Sequence, residues 1–212
     1  GNTPAYITKD AKIKRAVNDL FLSKTFDNGM ICASEQAIIV DNEVYNDVKA
    51  EFLAHNAYIV SSKAELAKLQ AAVMLPDGHA VNPKIVGFSA KYIAELAGIK
   101  VPEETKLLIA EIAGVGVDFP LSREKLSPVL AMVKANSTEE GLDLCEAMLD
   151  LGGLGHTAVI HTEDEDLQIQ FGIRMKACRI LVNTPAAEGG IGNIYNEMLP
   201  SLTLGCGSYG HN

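Results

Sequence analysis

The chain has 212 residues, with 18 Lys and Arg against 27 Asp and Glu, so its formal net charge is −9 with the five His neutral. Apolar types make up 48% of the residues, which is enough for a buried core and excludes a disordered chain. No apolar run reaches the roughly 18 residues that a membrane helix needs. Sequence-independent nucleic-acid binding depends on clustered Lys and Arg, and the excess of acidic residues argues against it. We expect neither a membrane nor a nucleic acid as a partner.

The cysteines, the histidines and the first residues give expectations about cellular location, metal binding and chain length. The four Cys form no CxxC pair and no signal peptide is present, which predicts a reducing, cytoplasmic location. The His show no metal-ligand spacing with one another or with Cys, so no metal site is expected. The chain opens GNTP without a Met, and we therefore expect it to be a piece of a longer protein.

Helical and extended patterns alternate from the start of the chain. A Gly-containing stretch, residues 25–29, breaks the first helical pattern, and Ser62 with Glu65 makes a capping box for the third. Short runs rich in Ile and Val indicate buried strands. In this half the pattern predicts helices over 10–23, 44–53 and 62–73, and strands over 37–40 and 58–60.

The same alternation continues in the second half. Gly98 is a helix C-terminal signal, Ser137 with Glu140 makes a second capping box, and the acidic run at 163–166 is typical of a solvated helix N-terminus. After Pro185 the chain is Gly-rich and is predicted to form a loop. The pattern predicts helices over 92–97, 137–152 and 166–176, and strands over 106–110, 129–133, 156–161 and 179–183.

This alternation of elements predicts the fold class. Strands that alternate with helices of about 10–15 residues form βαβ units and a largely parallel sheet covered on both faces. No linker, low-complexity tract or internal repeat interrupts the alternation. The sequence therefore predicts a single α/β domain over residues 1–212.

Cys32 is the most informative residue for function. It lies between the Gly-containing loop and a buried strand, a sheet-edge position at which α/β folds place ligands and nucleophiles. A nucleophilic Cys needs backbone N–H groups or a cation to stabilise its thiolate. The alternative is a buried Cys that packs as a small apolar side chain. Cys145 on a helix face, Cys178 before a strand and Cys206 in a terminal Gly loop are weaker candidates.

Three further features are weaker evidence of function when each is taken by itself. Residues 205–210 match the letters GxGxxG, but only two residues follow, so no helix N-terminus and no later acidic residue completes a dinucleotide site. His156 follows a Gly-rich turn and suits an acid, a base or an orienting group, although a lone His is more often structural. Glu124 has the pattern of a solvated loop charge. From these residues alone no reaction is assigned.

Five stretches in order carry a resemblance to a known family. Residues 23–36 read SKTFDNGMICASEQ and residues 124–128 read EKLSP, which corresponds to a segment written E-x-(F/L)-x-P. Residues 153–157, 183–185 and 202–208 read GLGHT, NTP and LTLGCGS. Together they resemble the aldehyde dehydrogenase superfamily, and within it the CoA-acylating half of the bifunctional aldehyde–alcohol dehydrogenases. The resemblance covers essentially the whole chain.

The resemblance implies a three-layer αβα catalytic domain with a largely parallel sheet, and it implies a reaction. Cys32 is then the nucleophile that attacks the aldehyde carbonyl to form a thiohemiacetal, and hydride transfer to NAD leaves a thioester on Cys32. The acyl group passes to the thiol of coenzyme A, and the reaction also runs from acetyl-CoA to acetaldehyde. His156 matches a His typical of the acylating group and is expected to assist CoA or proton transfer.

The resemblance also implies binding residues. Glu124 matches the residue that contacts the nicotinamide ribose, and Leu126 lies beside the ring. Phe26, Asn28 and Asn183 are expected to line the substrate pocket. The implied cofactors are NAD and, as a substrate, coenzyme A, with no metal in this domain.

The resemblance also gives expectations about partners, and two alternative functions stay open. A dinucleotide-binding domain, and any alcohol dehydrogenase half, are expected outside this chain, and the longer protein is expected to be a homo-oligomer. The 212 residues alone are predicted to bind NAD poorly and to turn over little. One alternative is a hydrolytic NAD(P)-dependent aldehyde dehydrogenase domain. Another is a catalytically silent α/β binding or assembly domain in which Cys32 is merely buried.

Overall fold

The computed structural model describes residues 1–203 and Tyr209, and in this part strands and α-helices alternate as predicted. The strands are β1 Thr3–Ile7, β2 Glu35–Asp41, β3 Ala57–Val60, β4 Leu107–Glu111, β5 Val129–Ala135, β6 Thr157–His161 and β7 Arg179–Val182. The α-helices are α1 Ile13–Thr25, α2 Tyr45–Ala54, α3 Lys63–Val73, α4 Ala90–Ala97, α5 Thr138–Gly152, α6 Glu165–Arg174 and α7 Ala186–Ile191.

The strands form one sheet in the order β3-β4-β5-β2-β1-β6-β7, and each neighbouring pair is parallel. The amino ends of the strands therefore lie along one edge of the sheet, which we call the amino edge. Strand β1, which lies inside the sheet between β2 and β6, is not indicated by the sequence pattern. It contains Pro4, which has no N–H to donate, and the β1–β2 pairing is irregular between Thr3 and Pro4.

Helices cover both faces of the sheet. On one face α1, α2 and α7 pack through Val17, Leu20 and Phe52. On the other face α3 and α4 cover β3 and β4, while α5 and α6 cover the centre with side chains such as Leu142 and Phe171. The chain is thus a three-layer αβα domain, which confirms the expected fold class.

Local signals in the sequence act as predicted at several helix ends. The hydroxyls of Ser62 and Ser137 accept the backbone N–H of the Glu three residues later. Gly98 adopts φ +67° at the end of α4. Asp164, from the acidic run, accepts the N–H of Leu167 at the start of α6.

One prediction was wrong and another lies outside the described residues. The chain after Pro185 is not entirely loop, because α7 forms there. The first N–H groups of α7 donate to the buried acceptors Glu35 and Ser23, which are distant in sequence and invisible in the local pattern. The GxGxxG match at 205–210 falls largely on residues that are not described. None of the helices in the described part is long and apolar enough to span a membrane.

Candidate functional site

The sequence candidates meet at the amino edge of the sheet. Cys32 lies in a turn three residues before β2, and His156 immediately precedes β6. Leu126 lies three residues before β5. Since β5, β2, β1 and β6 are neighbours in that order, these segments are adjacent. Open parallel sheets usually bind ligands at the carboxyl ends of their strands, so this site uses the opposite edge.

Contacts with two neighbouring loops hold the loop that carries Cys32. After α1 the backbone turns through Asp27, Asn28 and Gly29, with φ values of +47°, +50° and +72°. A Cβ on Gly29 would lie 2.5 Å from the carbonyl oxygen of Ser127, so only Gly permits this approach. The Asn28 amide donates to the carbonyl of Gly87 at 3.0 Å. The predicted break in the helical pattern is therefore a tightly packed, left-handed turn.

Cys32 itself is a free thiol with partial exposure, whereas Cys145 is fully buried in α5. The turn around Cys32 is closed by a hydrogen bond from the Ser34 N–H to the Ile31 carbonyl at 2.9 Å. A small molecule can reach a thiol in this position. This placement differs from the fully buried Cys that a catalytically silent domain predicts.

The segment of Glu124 and Leu126 lies beside this loop. The Glu124 side chain is about one-third exposed, and its Oε1 lies 2.5 Å from the Gly1 nitrogen. Leu126 has φ +43°, a value that a branched side chain rarely adopts, and its carbonyl accepts the Gly87 N–H at 3.1 Å. Among the described residues nothing donates to Glu124 Oε2. A carboxylate with a free oxygen at an open cleft fits the hydroxyls of a ribose.

A cleft of about 250 Å³ adjoins this carboxylate. It is lined by Asn2, His79, Ala80, Val81, Arg123, Glu124, Leu151 and Gly152. Its position places Glu124 between the cleft and the start of β1.

His156 is buried next to Gly1. It is 5% exposed, and its Nδ1 lies 3.1 Å from the Thr157 hydroxyl. A Cβ on Gly1 would lie 2.6 Å from the imidazole, so Gly1 packs directly against the ring. Burial is the main cause that lowers the pKa of His156 to about 4, and the charge of Arg179 acts in the same direction. The imidazole is therefore neutral near pH 7 and lies close to Glu124 through their shared contact with Gly1.

The three predicted pocket residues separate into two places. Phe26 is 45% exposed and lies with Asn28 on the Cys32 loop. Asn183 is not part of this group, because it follows β7 at the carboxyl edge. Its amide accepts the Thr162 N–H and donates to the Thr162 carbonyl, at 3.1 and 2.9 Å. Asn183 thus fastens the loop after β6, and its contact with substrate stays a prediction.

Comparisons with known proteins identify the family, although no family model matches the chain. An aldehyde-alcohol dehydrogenase of Streptococcus pneumoniae serotype 4 is 50% identical over 218 residues, covering all of this chain. A solved acetylating aldehyde dehydrogenase from Geobacillus thermoglucosidasius is 45% identical over all of this chain, with a TM-score of 0.94. The chain belongs to the aldehyde dehydrogenase superfamily.

A second curated relative supports the acylating branch. The succinate-semialdehyde dehydrogenase (acetylating) of Clostridium kluyveri is 36% identical over all of this chain. This chain spans 25% of the Streptococcus protein, 46% of the Clostridium protein and 46% of the Geobacillus chain. The resemblance seen in the motifs is confirmed, and it concerns one part of these longer relatives.

This aldehyde dehydrogenase domain also contains buried ionisable groups that the sequence pattern does not reveal. Lys24, Glu35 and Lys125 are fully buried under the Cys32 loop. Burial lowers the pKa of Lys24 to about 7 and raises that of Glu35 to about 7. Burial and the neighbouring Lys24 hold the pKa of Lys125 well below its usual value. An available signal is the polar pair Glu35 and Gln36, which directly precedes the apolar residues 37–40 in the same strand.

Across residues 1–203, no three His, Cys, Asp or Glu side chains are grouped so that they would hold a metal ion.

Proposed function

We propose that this chain is the nucleophile-bearing domain of a CoA-acylating, NAD-dependent aldehyde dehydrogenase. The domain would interconvert acetaldehyde or another short aldehyde, CoA and NAD with the acyl-CoA and NADH. The observation that carries the proposal is the convergence of Cys32, the Glu124–Leu126 segment and a neutral His156 on one sheet edge. The names of the relatives at 36–50% identity support it, since they are aldehyde dehydrogenases and one is called acetylating.

The first step belongs to Cys32. Its thiolate forms a bond to the aldehyde carbon, and the carbonyl electron pair moves to oxygen, which gives a thiohemiacetal. The backbone N–H of Cys32 itself is a donor that this chain can supply to that oxygen. Phe26, exposed on the same loop, supplies an apolar surface for the alkyl part of a short aldehyde.

The second step is oxidation of the thiohemiacetal carbon. A bound NAD would supply the hydride acceptor for this oxidation, and the hydroxyl would lose its proton as the carbon becomes the thioester carbonyl. Glu124 would hold the ribose hydroxyls of NAD through its free oxygen, and Leu126 would lie beside the nicotinamide ring. The two residues flank Lys125, so one short segment orients the cofactor against Cys32.

The third step returns Cys32 to its free form. The CoA thiol attacks the thioester carbon, a new carbon–sulfur bond forms, and the bond to Cys32 breaks. We assign to His156, whose ring is neutral near pH 7, assistance to the CoA thiol or to the transfer of its proton. Exchange of one thioester for another is close to neutral in energy, which keeps both directions accessible.

We place the dinucleotide-binding domain outside this chain, in the longer protein, which we expect to be cytoplasmic and homo-oligomeric. The chain covers 25–46% of its relatives, which is consistent with this division. The phosphates of NAD and CoA then depend in part on donors from that second domain.

The test uses the protein in which this chain is joined to its dinucleotide-binding domain. NADH formation from acetaldehyde, NAD and CoA is measured for the wild type and for Cys32→Ala. The substitution should abolish turnover, and near-normal turnover would overturn the proposal. Omission of CoA separates the alternatives, because an acylating enzyme stops after about one NADH per site, whereas a hydrolytic enzyme continues.

A further inference from the structure

Lys125 lies between the two residues assigned to the cofactor, and its side chain enters the core. It is fully buried. Its Nζ donates to three backbone carbonyls, those of Gln36, Leu121 and Arg123, at 2.8, 2.8 and 2.7 Å. An ammonium group has three N–H donors, so these neutral acceptors satisfy all of them without a carboxylate. The side chain thereby closes the loop 121–125 and ties it to β2.

A second tie runs through the side chain of Gln36. Its Oε1 accepts the backbone N–H of Lys125 at 2.9 Å and the Nζ of Lys24 at 3.1 Å. Its Nε2 donates to the Ser34 carbonyl at 3.0 Å, in the turn that holds Cys32. The main chain and the side chain of Lys125 are thus both bonded to a residue four positions after the nucleophile.

The backbone that follows Lys125 needs such support. Leu126 has φ +43°, and a non-glycine residue persists in this conformation only where its surroundings hold it. The Lys125 N–H bond precedes the strained residue, and the bond from Gly87 to the Leu126 carbonyl follows it. An apolar residue of the same volume is often no less stable at a buried charged position, so stability alone gives no reason for a Lys here.

We propose that Lys125 is a positioning residue for hydride transfer. Its bonds to Gln36 set the separation between the cofactor segment, Glu124 and Leu126, and the nucleophile Cys32. This inference rests on the proposed function. It predicts that the two half-reactions respond differently, because only hydride transfer requires the cofactor segment and Cys32 to be aligned.

The reaction that does not require this alignment is acyl exchange. In it the Cys32 thiolate attacks acetyl-CoA, the carbon–sulfur bond to CoA breaks, and free CoA leaves with both electrons of that bond. No oxidation occurs and NAD is absent. Labelled CoA then enters acetyl-CoA by the reverse step, so exchange measures Cys32 without the cofactor segment.

The first experiment compares both reactions in the protein joined to its dinucleotide-binding domain. Lys125→Met should lower hydride transfer at saturating NAD by about tenfold or more, since small misalignments have effects of this size. Acetyl-CoA exchange should stay within about twofold of the wild type. Equal losses in the two reactions, or no loss in either, would overturn the inference.

Lys24→Met is the matched control. Lys24 is equally buried, but it donates to the Gln36 side chain and makes no hydrogen bond to the loop 121–125 among the described residues. Its substitution should leave the ratio of hydride transfer to exchange unchanged. If it shifts this ratio as much as Lys125→Met, any buried Lys would have the same effect and Lys125 has no positioning role.

Amide hydrogen exchange on the protein joined to its dinucleotide-binding domain supplies a readout that is independent of activity. Lys125→Met should accelerate exchange at residues 121–126, whereas Lys24→Met should not. If Lys125→Met fails to fold, Lys125→Arg replaces it, because its planar guanidinium keeps the charge but does not match three converging carbonyls. Unchanged exchange at 121–126 overturns the inference. Faster exchange together with an active Cys32→Ala protein instead overturns the proposed function.

Discussion

Glu35 Oε1 accepts the backbone N–H of Ala186 at 2.9 Å, and this hydrogen bond joins the strand after Cys32 to the first turn of α7. The other carboxylate oxygen of Glu35 accepts the Ser23 hydroxyl at 2.5 Å, and Ser23 accepts the N–H of Ala187 at 2.8 Å. A six-residue helix that contains Gly189 and Gly190 is not stable by itself. The buried carboxylate of Glu35 therefore stabilises the start of α7, which its own short sequence does not.

Replacement of Glu35 should destabilise the domain. Glu35→Leu removes the acceptor for Ala186, breaks the bond to Ser23 and leaves Glu124 as the carboxylate that still interacts with Lys24, so we expect a loss of about 3 kcal/mol in the free energy of unfolding. Urea denaturation measures this loss, and amide exchange should show that residues 186–191 open first. Glu104→Leu, at an exposed position, is the control and should change stability by less than about 0.5 kcal/mol. A loss below about 1 kcal/mol for Glu35→Leu would contradict this role.

Elements that depend on nearby residues are predicted from the sequence, whereas elements held by distant residues are not. The helix starts at Ser62 and Ser137 and the end at Gly98 depend on residues within one turn, and they are predicted correctly. Strand β1 and helix α7 depend on partners far along the chain. Neither the bulge that accommodates Pro4 nor the acceptor at Glu35 leaves a periodic signal near the element.

The residues of the candidate site are likewise predictable only where the evidence for them is local. Cys32 is found from the residues because a Gly-containing loop before a buried strand is a local pattern. Glu124 and His156 acquire meaning only through the resemblance, since each is unremarkable in its own segment. The burial of Lys125 is produced by Gln36, 89 positions earlier in the chain, and no local pattern distinguishes it from a solvated charge.

The close approach at Gly29 can be separated from its backbone conformation. Gly29 and Gly98 have similar φ values of +72° and +67°, but nothing lies within 4 Å of a Cβ on Gly98. Gly98→Ala should cost about 1 kcal/mol for the left-handed backbone alone. Gly29→Ala adds a clash with the Ser127 carbonyl and should cost about 3 kcal/mol or more. Chemical denaturation of both variants measures the loss in unfolding free energy. Equal losses would show that the segments of Gly29 and Ser127 move apart at little cost.

The buried His156 should make stability depend on pH. Its folded-state pKa of about 4 lies below the ordinary value of 6.5, so the unfolded chain binds more protons between these values. The contribution of His156 is complete above pH 6.5 and is lost as the pH falls, by roughly 3 kcal/mol at pH 4. His156→Asn should reduce the difference in unfolding free energy between pH 7.5 and pH 4.0 by this amount. Exposed His79→Asn is the control, and an identical pH dependence for both variants would exclude a buried neutral imidazole.

Thiol reactivity distinguishes a nucleophile from an ordinary exposed cysteine. Cys178 is exposed and Cys32 is only partly so, whereas Cys145 is fully buried, which raises the pKa of its thiol. Accessibility alone therefore predicts that Cys178 reacts first. If Cys32 is an activated nucleophile, iodoacetamide should label it faster than Cys178 at pH 7, because the thiolate is the reactive form. Peptide mass spectrometry over a time course measures both rates, with Cys145 labelled only after unfolding. Faster labelling of Cys178 would favour the catalytically silent domain, whose Cys32 has no activated thiolate.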